Sequence, residues 1–168
     1  MTARALTLQD LIDRADISDV VQRYATGVDR RDWALWRSIF EDEVEHDFQS
    51  WSGAPPSRLR ADDWTKRVAG ALSGFDATQH VSANHVHTLN GDEATCVSYM
   101  MAHHHLVVDG ERQMQSIGGY YTNRLRRWPE GWKIYACRLT VTWEMGDRKL
   151  FELARARWDA RTAEPAAS

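Results

Sequence analysis

The chain of 168 residues is long enough for one domain that buries a substantial core. Its hydrophobic residues (43%) and charged residues (27%) occur at the frequencies of an ordinary water-soluble globular protein. The net charge of -3 argues against a nucleic-acid partner, and no apolar run approaches the ~20 residues that cross a bilayer. We expect a single domain over residues 1–168, with an ordered core at about 7–161, no nucleic-acid partner and no membrane partner.

The first half of the chain has mainly the periodicity of helices. Apolar residues recur at helical spacing from Leu8 to about Asp29. Thr7 precedes this run, and with Asp10 three positions later it predicts an N-cap with a variant of the capping box. The pattern further predicts a short helix over residues 32–40, a strand over 43–50, a loop over 51–58 and a helix over 61–72.

The second half predicts four long strands and a final helix. The strand-like runs begin at Thr78 and are separated by turn signals at residues 90–92, 109–110 and 129–131. Strands of about 12 to 16 residues must coil and bend. A helix is predicted from Asp147 to about Arg161, with residues 162–168 as a frayed tail. This order favours an α+β fold, in which helices cover one side of a strongly curved antiparallel sheet and leave a hollow for a small ligand.

Six of the seven histidines lie in two of the predicted strands. Successive side chains of a strand point to opposite faces, so we expect His104 to face away from His103 and His105. His85 and His87 share a face and could form half of a metal site, but no HxxxH motif or carboxylate cluster supplies further ligands. We therefore expect no bound metal, and we expect His85, His87, His103 and His105 to lie on a solvated or helix-packed outer face.

His80 and His104 form a different kind of pair. Antiparallel pairing of their strands about the turn at residues 90–92 places the two positions nearly opposite each other. Cross-strand neighbours on one face have Cβ atoms ~4.5 to 5.5 Å apart, so the two imidazoles could hold one water molecule or one substrate hydroxyl. The alternative is a pair with a purely structural role.

Asp29 and Tyr24 lie near the end of the first predicted helix. A carboxylate within reach of an imidazole fixes its tautomer and makes it a better base near neutral pH. Tyr24 lies one helical turn before Val28, beside Asp29, so both polar residues are candidates for the site. The alternative is that Asp29 only begins the turn that ends the helix and that Tyr24 belongs to the core.

Four short segments carry a resemblance to a known family: TQH at residues 78–80, MAHHHL at 101–106, GWK at 131–133 and WE at 143–144. Together they resemble the scytalone dehydratase family of the SnoaL-like, nuclear-transport-factor-2-like superfamily, over about residues 13–158. The resemblance implies a cone-shaped α+β barrel whose N-terminal helices enclose a pocket. It also implies that Asp29, His80 and His104 are active-site residues.

The resemblance is incomplete at the positions that select a substrate. The tyrosines with which that family polarises a carbonyl fall on Val28 and Phe48, so scytalone itself is not expected as the substrate. The five-residue spacing of Tyr24 and Asp29 is similar to that of bile-acid 7α-dehydratase. Dehydrochlorinases of the superfamily carry a similar Asp–His pair.

We interpret the chain as a cofactor-independent dehydratase of a hydrophobic, cyclic or polyketide-like hydroxy-carbonyl compound. His80 is expected to be the general base, oriented by Asp29, and His104 or Tyr24 is expected to protonate the departing hydroxyl. An isomerase or a dehydrohalogenase with the same base, and a non-catalytic binding or assembly module, are the alternatives. The helix that carries Phe151 is expected to be a lid, and the residues expected to line the substrate pocket are Val28, Phe48, Trp51, Met100, Tyr121, Trp143 and Phe151.

Three features of the sequence indicate where the protein is located and whether it self-associates: the cysteines, the N-terminus and the tryptophans. Cys96 and Cys137 form neither a disulfide framework nor a metal-type pair. The first eleven residues lack an apolar core of signal-peptide length. We therefore expect a cytoplasmic protein whose partner is a small hydrophobic substrate. The eight tryptophans, together with the resemblance, favour a homodimer or homotrimer.

Overall fold

Residues 5–163, the part of the chain that the computed structural model describes, form five helices and six strands. None of the described helices is long and apolar enough to cross a membrane. In chain order the elements are α1 (Leu8–Arg30), α2 (Trp33–Ser38), β1 (Phe40–Asp47), α3 (Gln49–Ser52), β2 (Ser57–Arg60), α4 (Ala61–Leu72), β3 (Ala77–Asn90), β4 (Glu93–Val108), β5 (Glu111–Trp128), β6 (Gly131–Met145) and α5 (Lys149–Ala163).

Most of the predicted elements are confirmed. The capping box of α1 is present, since the Thr7 hydroxyl accepts the N–H of Asp10 and the Asp10 carboxylate accepts the N–H of Thr7. The predicted loop over residues 51–58 was wrong in part, because it contains the end of α3 and the start of β2. The predicted tail begins later than expected: α5 continues to Ala163, and residues 164–168 lie outside the described residues.

The six strands form one open sheet in the order β2-β1-β6-β5-β4-β3. Neighbouring strands are antiparallel except β1 and β6, which run parallel. The expectation of an antiparallel sheet was therefore wrong for this pair, since the chain enters β1 from a helix and not from a hairpin. Register shifts interrupt β1, β3 and β6, and such irregularities bend strands. The resulting curvature gives the sheet a concave face toward the helices.

The core lies between the concave face and the helices. Its fully buried members include Ile17 and Val28 of α1 and Ile134 of β6. Trp36 of α2 is also fully buried, and a Cβ on Gly27 would lie only 2.8 Å from the Cβ of Trp36. Glycine at position 27 therefore lets α1 and α2 approach closely. Aromatic rings continue this core toward one end of the hollow, where Tyr24, Trp36, Phe40 and Trp64 pack on one another.

Candidate active site

A cavity of about 290 Å³ lies between the concave face of the sheet and the helices α1, α3, α4 and α5. Five of the predicted pocket residues line it: Phe48, Trp51, Met100, Tyr121 and Phe151. Two larger clefts, of about 610 and 650 Å³, are lined largely by charged surface residues and contain none of the predicted site residues. A third cleft, of about 370 Å³, is lined in part by Met100 and Trp143 but contains none of the predicted acid–base residues. Lining residues of the cavity that were not predicted from the sequence include His46, Leu59, Trp64, Arg67, Ile117 and Leu139.

Asp29, in the last turn of α1, holds His80 of β3 through two contacts. Its Oδ1 lies 2.7 Å from the Nδ1 of His80, and its Oδ2 accepts the backbone N–H of His80 at 2.7 Å. The Thr78 hydroxyl donates a further hydrogen bond to Oδ1 at 2.9 Å. The His80 side chain is 9% exposed and borders the cavity. The carboxylate thus fixes this imidazole at the cavity wall.

Hydrogen bonds decide the charge of Asp29. Partial burial alone raises the pKa of this carboxyl, but the hydrogen bonds from the His80 side chain and backbone, and from Thr78, outweigh burial and lower the pKa below its ordinary value. Asp29 is therefore an ionised acceptor, and the proton of the shared hydrogen bond belongs to Nδ1 of His80. The Nε2 of His80 then carries the lone pair that a general base needs.

His104 lies on the same face as His80 and diagonally across from it, close to the nearly opposite position that the sequence predicted. The register pairs His80 with Ala102 and His104 with Thr78, because the turn is tight and a bulge in β3 shifts the register by one more residue. The two imidazole rings still meet edge to face, with centroids 5.5 Å apart. The ring of Phe151 packs on His104 from α5, at 4.7 Å.

His104 is 2% exposed, and its surroundings keep it neutral. Burial, assisted by the charge that His80 can carry, lowers the pKa of His104 to about 3. Its Nδ1 lies 3.0 Å from the side-chain oxygen and 3.3 Å from the backbone oxygen of Gln115. A neutral imidazole that donates from Nδ1 to these oxygens presents Nε2 as an acceptor. His104 is therefore suited to orient a hydroxyl group and not to act as an acid near neutral pH.

A chain of hydrogen bonds fixes Gln115 and extends to the rim of the cavity. The Gln115 side-chain amide donates to Glu144 at 3.1 Å, and the Glu144 carboxylate accepts two bonds from Arg148, at 2.6 and 2.7 Å. Arg148 also donates to the backbone oxygen of Trp51 at 2.9 Å and lies over its indole ring at 4.1 Å. Gln115 was not predicted from the sequence, because only the register of β4 against β5 places it opposite His104.

Tyr24 and Tyr121 place two neutral phenols at the cavity. The Tyr121 hydroxyl donates to the Tyr24 hydroxyl at 3.4 Å, and their ring centroids are 5.1 Å apart. Burial raises the pKa of both phenols far above the ordinary value. Tyr24 therefore keeps its proton and has a hydrogen to donate toward a ligand.

Two of the residues predicted to line the pocket lie elsewhere. Val28 is fully buried in the core and does not line the cavity. A register shift beside Gly118 places Trp143 on the convex face, opposite Gly118, with 43% of its surface exposed. A Cβ on Gly118 would lie 2.0 Å from the indole of Trp143, so glycine makes room for the ring on that face.

A bulge in β3 turns His85 and His87 to the concave face, so the prediction of an outer face was wrong for these two. The bulge falls between residues 83 and 86, and both imidazoles contact Ser18 of α1. As expected, both imidazoles pack against a helix. The helix is α1, and it lies on the concave side of the sheet. His103, bonded to Ser116, and the exposed His105 face away from His104, as predicted.

An open, curved sheet whose helices close a hollow over an Asp–His pair defines an α+β cone protein with a small-molecule cavity. Residues 9–138 match the SnoaL-like domain model, and the chain belongs to this family. No protein of curated function matches the sequence.

Solved structures share the fold. Kfla4162 from Kribbella flavida is 29% identical, with a TM-score of 0.77 over 86% of this chain and 98% of that chain. A proposed scytalone dehydratase from Novosphingobium aromaticivorans is 20% identical, with a TM-score of 0.72 over 85% and 93%. A hexachlorocyclohexane dehydrochlorinase, LinA type 2, is 23% identical, with a TM-score of 0.68 over 83% and 92%. The nuclear-transport-factor-2-like cone expected from the sequence is thereby confirmed.

Proposed function

We propose that the protein is a cofactor-independent lyase that removes water from a hydrophobic, cyclic or polyketide-like hydroxy-carbonyl compound. The observation that supports this most strongly is the contact of 2.7 Å between Asp29 and His80 at the wall of the cavity. A binding or assembly module does not need a carboxylate that fixes the tautomer of a cavity-lining imidazole. The pair therefore favours an enzyme.

His80 is the general base of the proposed reaction. Its Nε2 takes a proton from the carbon next to the substrate carbonyl, and the ionised Asp29 stabilises the imidazolium that forms. The electron pair of the broken C–H bond forms the carbon–carbon double bond. Such a base step contributes a rate factor of ~10² to 10⁴.

Tyr24 is the proposed acid. The hydroxyl group on the β-carbon leaves with the electron pair of its C–O bond and takes a proton from Tyr24, so that water departs. The imidazolium of His80 then gives its proton to the Tyr24 phenolate, so that both groups return to their starting state. Of the two acids expected from the sequence, His104 is less suitable, because its one ring proton is held on Nδ1 by Gln115 and its Nε2 has none to donate. We assign its Nε2 to accept a hydrogen bond from a substrate hydroxyl.

The cavity wall supports a hydrophobic substrate. Its lining includes the apolar side chains of Trp51, Trp64, Met100 and Phe151. A volume of about 290 Å³ lies at the lower end of the usual range for ligand cavities, ~300 to 1,000 Å³, which favours a compound of one or two rings. Arg67 also lines the cavity and supplies its one guanidinium among the described residues.

An isomerase and a dehydrohalogenase are the alternatives within the enzyme class, because both begin with the same removal of a proton from carbon. The structural likeness to a hexachlorocyclohexane dehydrochlorinase gives the second of these some support. The three reactions share this first step and differ in the second: a dehydratase releases water, a dehydrohalogenase releases halide, and an isomerase returns the proton to another carbon.

The test separates the base step from the leaving group. The wild type is incubated in D₂O with cyclic ketones that lack a leaving group, and exchange of the α-protons is followed by NMR. The same chain is then given β-hydroxy and β-chloro ketones, and formation of the enone is followed by absorbance. We expect exchange with the simple ketones and faster elimination from the hydroxy than from the chloro compounds.

Three variants complete the test. His80→Gln and Asp29→Asn are expected to lower both exchange and elimination by about 10² or more. His103→Gln, on the convex face of the neighbouring strand, is the matched control and is expected to leave both rates unchanged. Turnover that does not respond to either site substitution would exclude the mechanism, and selective elimination of chloride would identify a dehydrohalogenase.

A further inference from the structure

Three potential metal ligands lie together beneath α1, outside the cavity described above: His85, His87 and Cys96. Cys96 of β4 pairs directly with His87 of β3, and His85 lies two residues earlier on the same face. One donor atom from each of the three side chains lies within 4.8 Å of the other two. Cys96 is a fully buried free thiol, whereas both histidines are half-buried and so can be reached from solvent.

The bulge in β3 creates this cluster. Simple alternation along the strand from His80 would place His85 and His87 on the convex face, away from the thiol. Asn84 instead adopts a left-handed backbone with a φ of 51°, which few residues other than glycine adopt. The unfavourable backbone at Asn84 is therefore what brings two imidazoles beside Cys96.

Ser18 of α1 marks the point on which the two rings converge. Its hydroxyl oxygen lies 3.0 Å from Nδ1 of His85 and 2.9 Å from Nε2 of His87. This hydroxyl, or a water molecule in its place, provides a fourth donor. Arg14 lies one helical turn before Ser18 and acts electrostatically on His87. Its positive charge opposes a cation, and the negative charge of a thiolate offsets that effect.

We propose that His85, His87 and Cys96 bind one Zn²⁺ ion, with Ser18 or water as the fourth ligand. Zinc in proteins takes imidazole nitrogen and thiolate sulfur in tetrahedral arrangements. Donors at tetrahedral angles are about 3.3 to 3.6 Å apart, given Zn–N and Zn–S distances of about 2.0 and 2.3 Å, so the donor atoms need to approach one another by at most about 1.5 Å. An ion there would join β3, β4 and α1 away from the proposed acid–base residues.

The test uses the full chain without a histidine tag, freed of metal by a chelator. Zn²⁺ is titrated by calorimetry and Co²⁺ by absorption spectroscopy. We expect one Zn²⁺ per chain, a higher melting temperature with Zn²⁺, and the near-ultraviolet charge-transfer band of a thiolate bound to Co²⁺. Cys96→Ser is expected to abolish the band, and both Cys96→Ser and His87→Gln are expected to weaken Zn²⁺ binding at least about tenfold.

Two variants control for other sites. His103→Gln removes an imidazole from the convex face, and Cys137→Ala removes the other thiol; both are expected to bind Zn²⁺ as the wild type does. If circular dichroism shows that Cys96→Ser has unfolded, the half-buried His87→Gln carries the comparison. The proposal is overturned if the wild type gives no thiolate band with Co²⁺, or if Zn²⁺ binds His87→Gln and the wild type equally well.

Discussion

The Arg31 guanidinium donates to the hydroxyl of Thr78 at 2.7 Å, and that hydroxyl donates in turn to the Asp29 carboxylate at 2.9 Å. Arg31 is anchored at the same time by the backbone oxygen of Val28, also at 2.7 Å. The carboxylate that fixes His80 is thus itself held from behind by a charged side chain. The position of Asp29 depends on β3 as much as on its own helix.

Replacement of Thr78 by valine tests this support. Thr78→Val keeps the shape of the side chain but removes one hydrogen bond from Asp29 and one of the two acceptors of Arg31. We expect kcat to fall by about threefold to tenfold, the equivalent of one hydrogen bond, with a smaller change in KM. Steady-state kinetics on a β-hydroxy ketone that the wild type converts measure both. Thr88→Val, near the far end of the same strand, is the control, and an equal loss in the two variants would argue against the support.

Because His104 is buried as a neutral imidazole, we expect the folded protein to lose stability in mild acid. Its folded pKa, about 3, is depressed below the unfolded value of about 6.5, so the unfolded chain binds the proton more readily. The contribution of His104 is therefore fully present above pH 6.5 and is lost as the pH falls toward 3. Between pH 6.5 and 5.5 we expect the free energy of unfolding to drop by about 1 kcal/mol from this group.

Urea unfolding at several pH values measures that slope. His104→Asn keeps a donor toward Gln115 but cannot titrate, so its slope between pH 6.5 and 5.5 is expected to be shallower than that of the wild type. His105→Asn, the exposed neighbour on the opposite face, is expected to keep the wild-type slope. Identical slopes in the wild type and His104→Asn would contradict the prediction.

A second ionic contact links α1 to the far end of the sheet. Arg127 donates two hydrogen bonds of 2.7 Å to the buried Asp13 carboxylate, and its guanidinium lies 4.4 Å from the ring of Trp132. The bond with Arg127 lowers the pKa of Asp13 despite the opposing effect of burial. This depressed value means that the stabilisation exists above the unfolded pKa and disappears as the pH falls through the folded pKa.

Asp13→Asn is therefore expected to lower the free energy of unfolding by about 1 to 3 kcal/mol at pH 7. The difference from the wild type should vanish below the lowered pKa of Asp13, where the wild-type carboxyl is also neutral. Denaturant melts at pH 7 and at a series of lower pH values give the comparison, and the difference between the two chains is expected to shrink as the pH falls. Asp16→Asn, one turn further along the exposed side of α1, should change stability by less than about 0.5 kcal/mol.

The convex face of the sheet carries exposed apolar side chains, which include Tyr99 (57%), Trp143 (43%) and Met145 (58%). We propose that two or three copies of the chain associate through this face, in line with the homodimer or homotrimer expected from the sequence. Tyr99→Glu is expected to shift the mass in sedimentation experiments toward the monomer. Leu153→Glu, on the exposed side of α5, should leave it unchanged. A wild-type chain that is monomeric at micromolar concentration would contradict the proposal.

Periodicity and caps predicted four of the five described helices, because those signals are local, but missed the four-residue α3. The bounds of α4 follow directly from the apolar spacing of residues 61–72, and the Thr7 cap fixes the start of α1. The Asp29–His80 contact was also accessible, since the resemblance and the helix end both pointed to it. Local patterns of this kind do not depend on how distant strands align.

The missed features all depend on strand register. His85 and His87 were placed on the outer face and Trp143 in the pocket, whereas bulges in β3 and beside Gly118 reverse these faces. Asn84 carried the one local signal, since asparagine accepts a left-handed backbone more readily than most residues. Gln115 had no signal at all, because its function comes from a partner strand.

Arg148 contacts both Glu144 and Trp51. It therefore connects the hydrogen bonds that hold Gln115 to the outer rim of the cavity. Outward movement of α3 must break the bond to Trp51 or pull the guanidinium away from Glu144. The rim of the cavity and the support of the buried imidazole therefore share one side chain, and removal of Arg148 would loosen both together.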